Sequence, residues 1–254
     1  MDIVTLTTDF GTSDYYAAML KGEILKSVPK INILDITHNV SRHDIMEAAF
    51  FVKGIYRHFP RHTLHLIAVN TYYAKHNQLI LFEHDGYFFV GPNNGVFSLI
   101  FPDLDPRGVV EVPMTSREDI YHSLSKVIYQ LSEGKLVREI GMPVQEYERR
   151  LSLQAVINTD HIRATIMHVD TFGNVIINVD KSTFDRVRAG RSYAIYFKSN
   201  DPITRLSHRY NDVPIGDVCA FFNDINMLEI AINMGNAHQL LSLNKNETIQ
   251  IDFH

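Results

Sequence analysis

The chain holds one cysteine in 254 residues, Cys219. A single thiol closes no internal disulfide, so a packed core must supply the stability, and the expected compartment is a reducing cytoplasm. Tryptophan is absent, which leaves 15 Phe and 12 Tyr to build any aromatic stacking surface. Positive charge is not in excess: 24 Lys plus Arg against 29 Asp plus Glu give −5 at pH 7. That argues against a nucleic-acid partner, because such binders normally carry a basic stripe. No apolar run approaches the roughly 18 residues of a membrane span. The opening residues carry no basic stretch ahead of an apolar one, so neither a membrane partner nor a secretory signal is expected. The phosphate loop GxxxxGK[ST], the dinucleotide fingerprint GxGxxG and the hydrolase elbow GxSxG are all missing.

What is present has the length for one large domain or two modest ones. The first half alternates strand and helix patterns. DIVTLTT reads as a buried strand, Tyr15 to Ser27 as a helix ended by Pro29, and INILDIT as a strand. His43 to Phe59 reads as a helix, TLHLIAVN as a strand, and QLILFEHD with GYFFVGP as a hairpin around Asp85-Gly86. Tyr121 to Ser132 reads as a further helix closed at Gly134. This alternation predicts an α/β domain over residues 1–148, with a mostly parallel sheet covered by helices on both faces. Beyond it, short strand patterns (LQAVINTDHIRATIMHVD, GNVIINVD, RSYAIYFKSN, DVCAFF, LEIAINM, ETIQIDF) are joined by turn residues. They predict a smaller antiparallel β-barrel domain over 152–254, with VQEYERR as the linker.

Four stretches carry candidate chemistry. In TTDFGTSDYYAAMLKG, Asp9 and Asp14 flank the exit from the first strand, where open α/β sheets place ligands. A carboxylate there suits the vicinal hydroxyls of a ribose. It equally suits a local Asx-turn and a helix N-terminus. In HVDTFGNVIINV, Phe172 offers a flat apolar face and Asn174 a donor and an acceptor, complementary to an adenine edge. The same residues also fit a Gly-Asn hairpin turn. RYNDVPIGD adds Tyr210 as a second ring, and LEIAINMGNA adds backbone groups around Ala237. His58, His62 and His65 are spaced by four and three, but Pro60 prevents a regular helix from aligning them, so no metal site is expected.

Together with ILDITHNVSRHDIMEAAFFV and YFFVGPNNGVFSLIF, these stretches resemble, in order and over nearly the whole chain, the S-adenosylmethionine hydrolases. These hydroxide adenosyltransferases share their fold with fluorinases and chlorinases. The resemblance implies a homotrimer whose ligand lies between the N-terminal domain of one subunit and the C-terminal domain of its neighbour. It implies that Asp9 grips the ribose and that Asp14 lies nearer the methionine. Phe172 and Tyr210 would stack on adenine, Asn174 would bond its edge, backbone around Ala237 would complete the pocket, and Asp170 would face the methionine ammonium. S-Adenosylmethionine is then the substrate or ligand, and no cofactor is implied.

The family holds its nucleophile with an Asp and an Arg from a VDPGVGTxR stretch and a His from an HGRD stretch. Here VNTYYAKHN puts Asn70 and Asn77 at the first two positions, and TSREDIY puts Thr115 or Ser116 at the third. An amide takes no proton as a carboxylate does, and losing a positioned base costs about 10²- to 10⁴-fold in rate. Ser116-Arg117-Glu118 echoes an SRE sequence near the halide site of the halogenases, while His43, His76 and His122 are candidate displaced bases. Asp224 stands where the family usually has a Ser touching the methionine carboxylate. The expected function is hydrolysis of S-adenosylmethionine to adenosine and methionine. The alternatives are adenosyl-ligand binding without turnover, and transfer to another small nucleophile such as halide.

Overall fold

In the computed structural model, which describes residues 1–73, 78–113, 120–151, 154–198 and 201–254, the segment Ile3–Thr8 (β1) is a strand buried on both faces. Val4 and Leu6 point into one core, while Thr5 and Thr7, equally buried, face the other way. Then comes α1 (Tyr16–Ser27), with Ala17, Leu20 and Ile24 buried at helical spacing. β2 (Asn32–Thr37) returns parallel to β1. Asp44 caps α2 (Ile45–Ile55) by accepting from the Met46 and Glu47 N–H groups. β3 (Leu64–Ala68) lies parallel to β1 on its other side. β4 (Gln78–His84) and β5 (Tyr87–Pro92) form the expected hairpin, turning through Asp85 and Gly86 at φ of 52° and 79°. α3 (Val96–Ile100), β6 (Val109–Pro113), α4 (Ile120–Ser132), α5 (Val137–Ile140) and β7 (Met142–Pro143) complete this unit, Met1–Ser152.

The strand order is β2-β1-β3-β5-β4-β6-β7. It is parallel from β2 to β5 and antiparallel beyond, because β4 and β5 are joined by a two-residue turn. Helices cover both faces. Leu20 and Ile24 of α1 meet Leu124, Val127 and Ile128 of α4 over Leu64 and Leu66, whereas Ile67 and Val69 meet α2 and α3 on the opposite side.

Two sequence expectations change here. The helix expected from His43 to Phe59 starts at Ile45, because His43 is left-handed at φ 64°, and it tightens to a 3-10 turn over Tyr56–His58 ahead of Pro60. VQEYERR, read as a linker, is packed onto this unit. Tyr147 is buried with its hydroxyl donating to Leu104 O, and the Glu148 N–H donates to Asn93 Oδ1.

The second unit, Leu153–His254, holds β8 (Val156–Ile157), β9 (His161–Val169), β10 (Val175–Asp180), α6 (Lys181–Arg188), β11 (Tyr193–Tyr196), β12 (Val218–Phe222), β13 (Met227–Ile232), α7 (Ala237–Leu240) and β14 (Thr248–Phe253). Its sheet runs β11-β14-β9-β10-β13-β12, antiparallel throughout, with β8 added on β9. Ile166, Ile177, Ile230 and Ile251 gather with Phe184 of α6, whose ring is fully buried edge-on to Tyr193, Phe222 and Phe253. The expected antiparallel barrel is present as a curled half-barrel. Among the described residues its end strands β11 and β12 do not pair with each other, and Ile195 of β11 bridges Ile203. No helix among the described residues is long and apolar enough to cross a membrane.

Candidate functional site

Strand order decides what surrounds Asp9. From β1 the chain goes to β2 on one side and later to β3 on the other, so a topological switch point opens at the carboxyl ends of β1 and β3. Ligands of open α/β sheets sit at such points. Asp9 follows β1 and Asn70 follows β3. The Asp9 side chain is 11% exposed, and its Oδ2 accepts from the backbone N–H groups of His43 at 3.0 Å and Asn70 at 3.1 Å. Both donors sit in left-handed turns, at φ 64° and 51°. Asp9 therefore closes no turn of its own. Its neighbour Thr8 does that, accepting from the Phe10 N–H.

Each of the two turns is fixed independently. Ser41 N–H donates to Glu47 Oε2 at 2.7 Å, which ties the His43 loop to α2. Asn94 Nδ2 donates to Val69 O at 2.9 Å, with a longer contact of 3.4 Å to Asn70 O. A carboxylate has roughly four acceptor sites. With Oδ2 occupied by the protein, Asp9 Oδ1 has no hydrogen-bond partner among the described residues. The His43 imidazole is 63% exposed, with Nδ1 3.9 Å from Asp9 Oδ2.

Asp14 is exposed, and Tyr15 rather than Asp14 occupies the N-cap of α1. Beside it stands an aromatic cluster that the sequence reading passed over, although the DYY and TYY pairs signal it. Tyr15 and Tyr16 lie 4.7 Å apart between centroids, and Phe10 touches both Tyr16 and Tyr121. Burial, with the neighbouring hydroxyls of Tyr72, Tyr16 and Tyr15, pushes the Tyr121 phenol up to about 12. Asn77, Ser116 and their neighbours His76, Thr115, Arg117 and Glu118 lie outside the described residues. His122 is exposed, 3.9 Å from Glu23.

In the second unit, a tight turn links β9 to β10. Asp170 Oδ1 accepts from the N–H groups of Phe172 at 2.9 Å and Asn174 at 2.8 Å, and Asp170 Oδ2 accepts from Asn174 Nδ2 at 3.0 Å. The turn thrusts the Phe172 ring outward, 76% exposed, and buries Asn174. Gly173 sits at φ 83°, and a Cβ there would collide with the Asn236 side chain. His238 N–H donates to Gly173 O at 2.9 Å, which fastens the turn to the start of α7, where Ala237 is fully buried.

Asn174 Nδ2 also reaches the Tyr210 hydroxyl at 3.4 Å, and that hydroxyl donates to Glu229 Oε1 at 2.8 Å. The Tyr210 ring packs edge-on against Phe221. Asp170, Phe172, Asn174, Tyr210 and Ala237, separated by up to 67 positions in the chain, thus converge on one cluster. Glu229 was missed by the sequence reading. Its signal is a carboxylate inside the apolar strand LEIAINM, 3% exposed in the fold. Burial raises its pKa, and the charges of Asp170 and Asp224 add to that; hydrogen bonds from Tyr210 and Asn223 oppose it. Asp224 itself is exposed.

Of the three histidines, His65 is buried with Nδ1 bonded to Thr5 Oγ1 at 2.8 Å, while His58 and His62 are exposed. Among the described residues no three His, Cys, Asp or Glu side chains converge as a metal site would need.

Residues 4–137 match the N-terminal domain of the SAM hydroxide adenosyltransferases, and residues 164–250 match the C-terminal domain. An (R)-S-adenosyl-L-methionine hydrolase of Methanocaldococcus jannaschii is 25% identical over 270 residues, covering 99% of this chain and 96% of that protein. A fluorinase of an Actinoplanes species is 22% identical over 207 residues, covering 70% and 68%. An uncharacterized conserved protein from Thermotoga maritima has the same fold, with a TM-score of 0.85 at 23% identity over 98% of this chain and 99% of that one.

Proposed function

Because this chain belongs to the S-adenosylmethionine hydroxide adenosyltransferase family, matched in both of its units, we propose that it hydrolyses S-adenosylmethionine to adenosine and methionine. The observation that carries this reading is the Asp9 carboxylate, held through Oδ2 by two backbone donors at the switch point and left with Oδ1 for a ligand's vicinal hydroxyls. The names of the relatives support the chemistry: the family is one of SAM hydroxide adenosyltransferases, and the relatives include (R)-S-adenosyl-L-methionine hydrolases and fluorinases.

In the proposed reaction a water oxygen attacks C5′ of the ribose. The C5′–S bond breaks with its electron pair going to sulfur, which leaves as the neutral thioether of methionine, and the attacking water loses one proton. The sulfonium is already a good leaving group, so the protein's task is to position the reactants and to accept that proton. Asp9 would hold the ribose, Phe172 and Tyr210 would stack on adenine, and Asn174 with backbone near Ala237 would bond its edge. Asp14 and Asp170 would lie toward the methionine end. The ligand would sit where copies of a homotrimer meet, and no cofactor takes part. With an amide at position 70, the proton would go to His43, whose ring stands beside Asp9.

A second reading, ligand binding without turnover, is favoured by Asn70 itself. Its contribution to the site is a backbone N–H, and its side chain carries no basic group. Incubation with S-adenosylmethionine, with and without halide, separates the readings by chromatography of adenosine, methionine and 5′-halo-adenosine. Adenosine release that is lost in Asp9→Ala and lowered in His43→Ala supports hydrolysis. Saturable binding with no product sinks it in favour of the second reading, and a halide-dependent product assigns the nucleophile to halide.

A further inference from the structure

The buried polar chain beneath Phe172 has a direction. Asn223 Oδ1 accepts from the N–H groups of Ile225 and Met227, so its Nδ2 must face Glu229, where it donates to Oε2 at 3.1 Å. The Tyr210 hydroxyl donates to the other oxygen, Oε1. Having given its proton to Glu229, that hydroxyl can only accept from Asn174. Asp170 Oδ2, on the same side of the Asn174 amide, is an acceptor as well. Both neighbours therefore demand the nitrogen end of the amide. Asn174 Oδ1 is left pointing away from them, with no hydrogen-bond partner among the described residues.

We propose that Glu229, acting through the Tyr210 hydroxyl, is a positioning residue that presents the Asn174 carbonyl to the ligand and so selects a purine bearing a 6-amino group over one bearing a 6-oxo group. This rests on the reading that the cluster holds the base of a nucleoside. A 6-amino group donates to the unpaired carbonyl. A 6-oxo group would set one acceptor against another and leave a desolvated oxygen unpaired. The family relationship assigns Asn174 to the base edge. The polarity of that contact comes from Glu229, which lies 55 positions further along the chain.

The test compares adenosine with inosine by calorimetry on the full chain. The wild type is expected to prefer adenosine at least ten-fold. In Glu229→Gln the carbonyl must face Asn223, whose Nδ2 is held as a donor while its Oδ1 accepts from two backbone N–H groups. The Gln amide then donates to the Tyr210 hydroxyl and forces its proton toward Asn174, so the preference should narrow at least five-fold. Tyr210→Phe removes one acceptor without reversing it, and Asp170 still holds the amide, so the preference should fall between the two. A general structural defect would weaken both nucleosides alike. The Asn174 side-chain amide resonances give a readout without ligand and should shift in Glu229→Gln. An unchanged preference in Glu229→Gln with unshifted Asn174 resonances overturns the proposal. If that variant does not fold, an unchanged preference and unshifted resonances in Tyr210→Phe do so. A wild type that binds neither nucleoside overturns the base-site reading and the selectivity together, while the resonance shift separately reports whether the relay exists.

Discussion

The Asn70 backbone N–H donates to Asp9 Oδ2 at 3.1 Å, joining the ends of two neighbouring parallel strands across 61 positions of sequence. Asn70 takes a left-handed backbone there, which Asn and Asp both tolerate better than most residues. The bond that holds Asp9 therefore does not depend on the residue 70 side chain.

For that reason Asn70→Asp should fold and bind ligand as the wild type does while supplying a carboxylate base. Adenosine release from S-adenosylmethionine should rise by about 10²-fold, at the low end of what a positioned base contributes. Single-turnover chromatography measures it. No rise would mean that residue 70 does not face the attacking water.

Phe172→Ala should barely alter stability, because the ring is 76% exposed and supports no core. Surface substitutions of this kind usually stay within about 0.5 kcal/mol. Base stacking on an aromatic ring is worth roughly 1–3 kcal/mol, so adenosine affinity should fall about ten-fold or more. Urea melts alongside calorimetry separate the two effects. A large loss of stability with normal affinity would return Phe172 to a purely structural role.

Mixing subunits tests the proposed seam between copies. Asp9→Ala and Asn174→Ala damage different units of the chain, and each alone should bind adenosine poorly. In trimers reassembled from an equal mixture, roughly a quarter of the seams would join two intact units, and binding should recover to about that level. A mixture as deficient as its parents would confine each site to one chain, or show that the chain is not an oligomer.

His65 sets a pH dependence. Burial holds its imidazole neutral, with a pKa down to about 4, although a backbone contact with Tyr56 opposes the shift. Its ring stacks on Phe89 at 5.2 Å and meets Phe59 edge-on. Between the unfolded value near 6.5 and about 4, the unfolded chain binds a proton that the native chain does not, so stability falls as the pH is lowered through that window. The full effect is about 3 kcal/mol. Denaturant unfolding at pH 7 and pH 4.5 should lose most of this in the wild type relative to His65→Phe. Equal slopes for the two proteins would sink the assignment.

Hydrophobic periodicity made most of the fold legible. Leu20 and Ile24 at helical spacing, the alternation through β9 and the Asp85-Gly86 turn are local signals, and each element formed where it was expected. Elements with weak local signals were missed. β6 and α6 are short, and α6 is largely polar around one buried ring, Phe184. Closure of the second sheet was not legible, because strand count says nothing about whether the end strands meet.

By itself the sequence determined the alternation of elements, the residue types at each strand end and the ordered motifs that place the chain in its family, because these depend on neighbours along the chain. Only the tertiary structure decided that β1 lies between β2 and β3, which turns two backbone N–H groups onto Asp9. Only it decided that a glutamate inside an apolar strand orders a tyrosine and an asparagine from distant segments. Buried polar groups must find partners wherever the fold brings them, and those partners are fixed by packing in three dimensions.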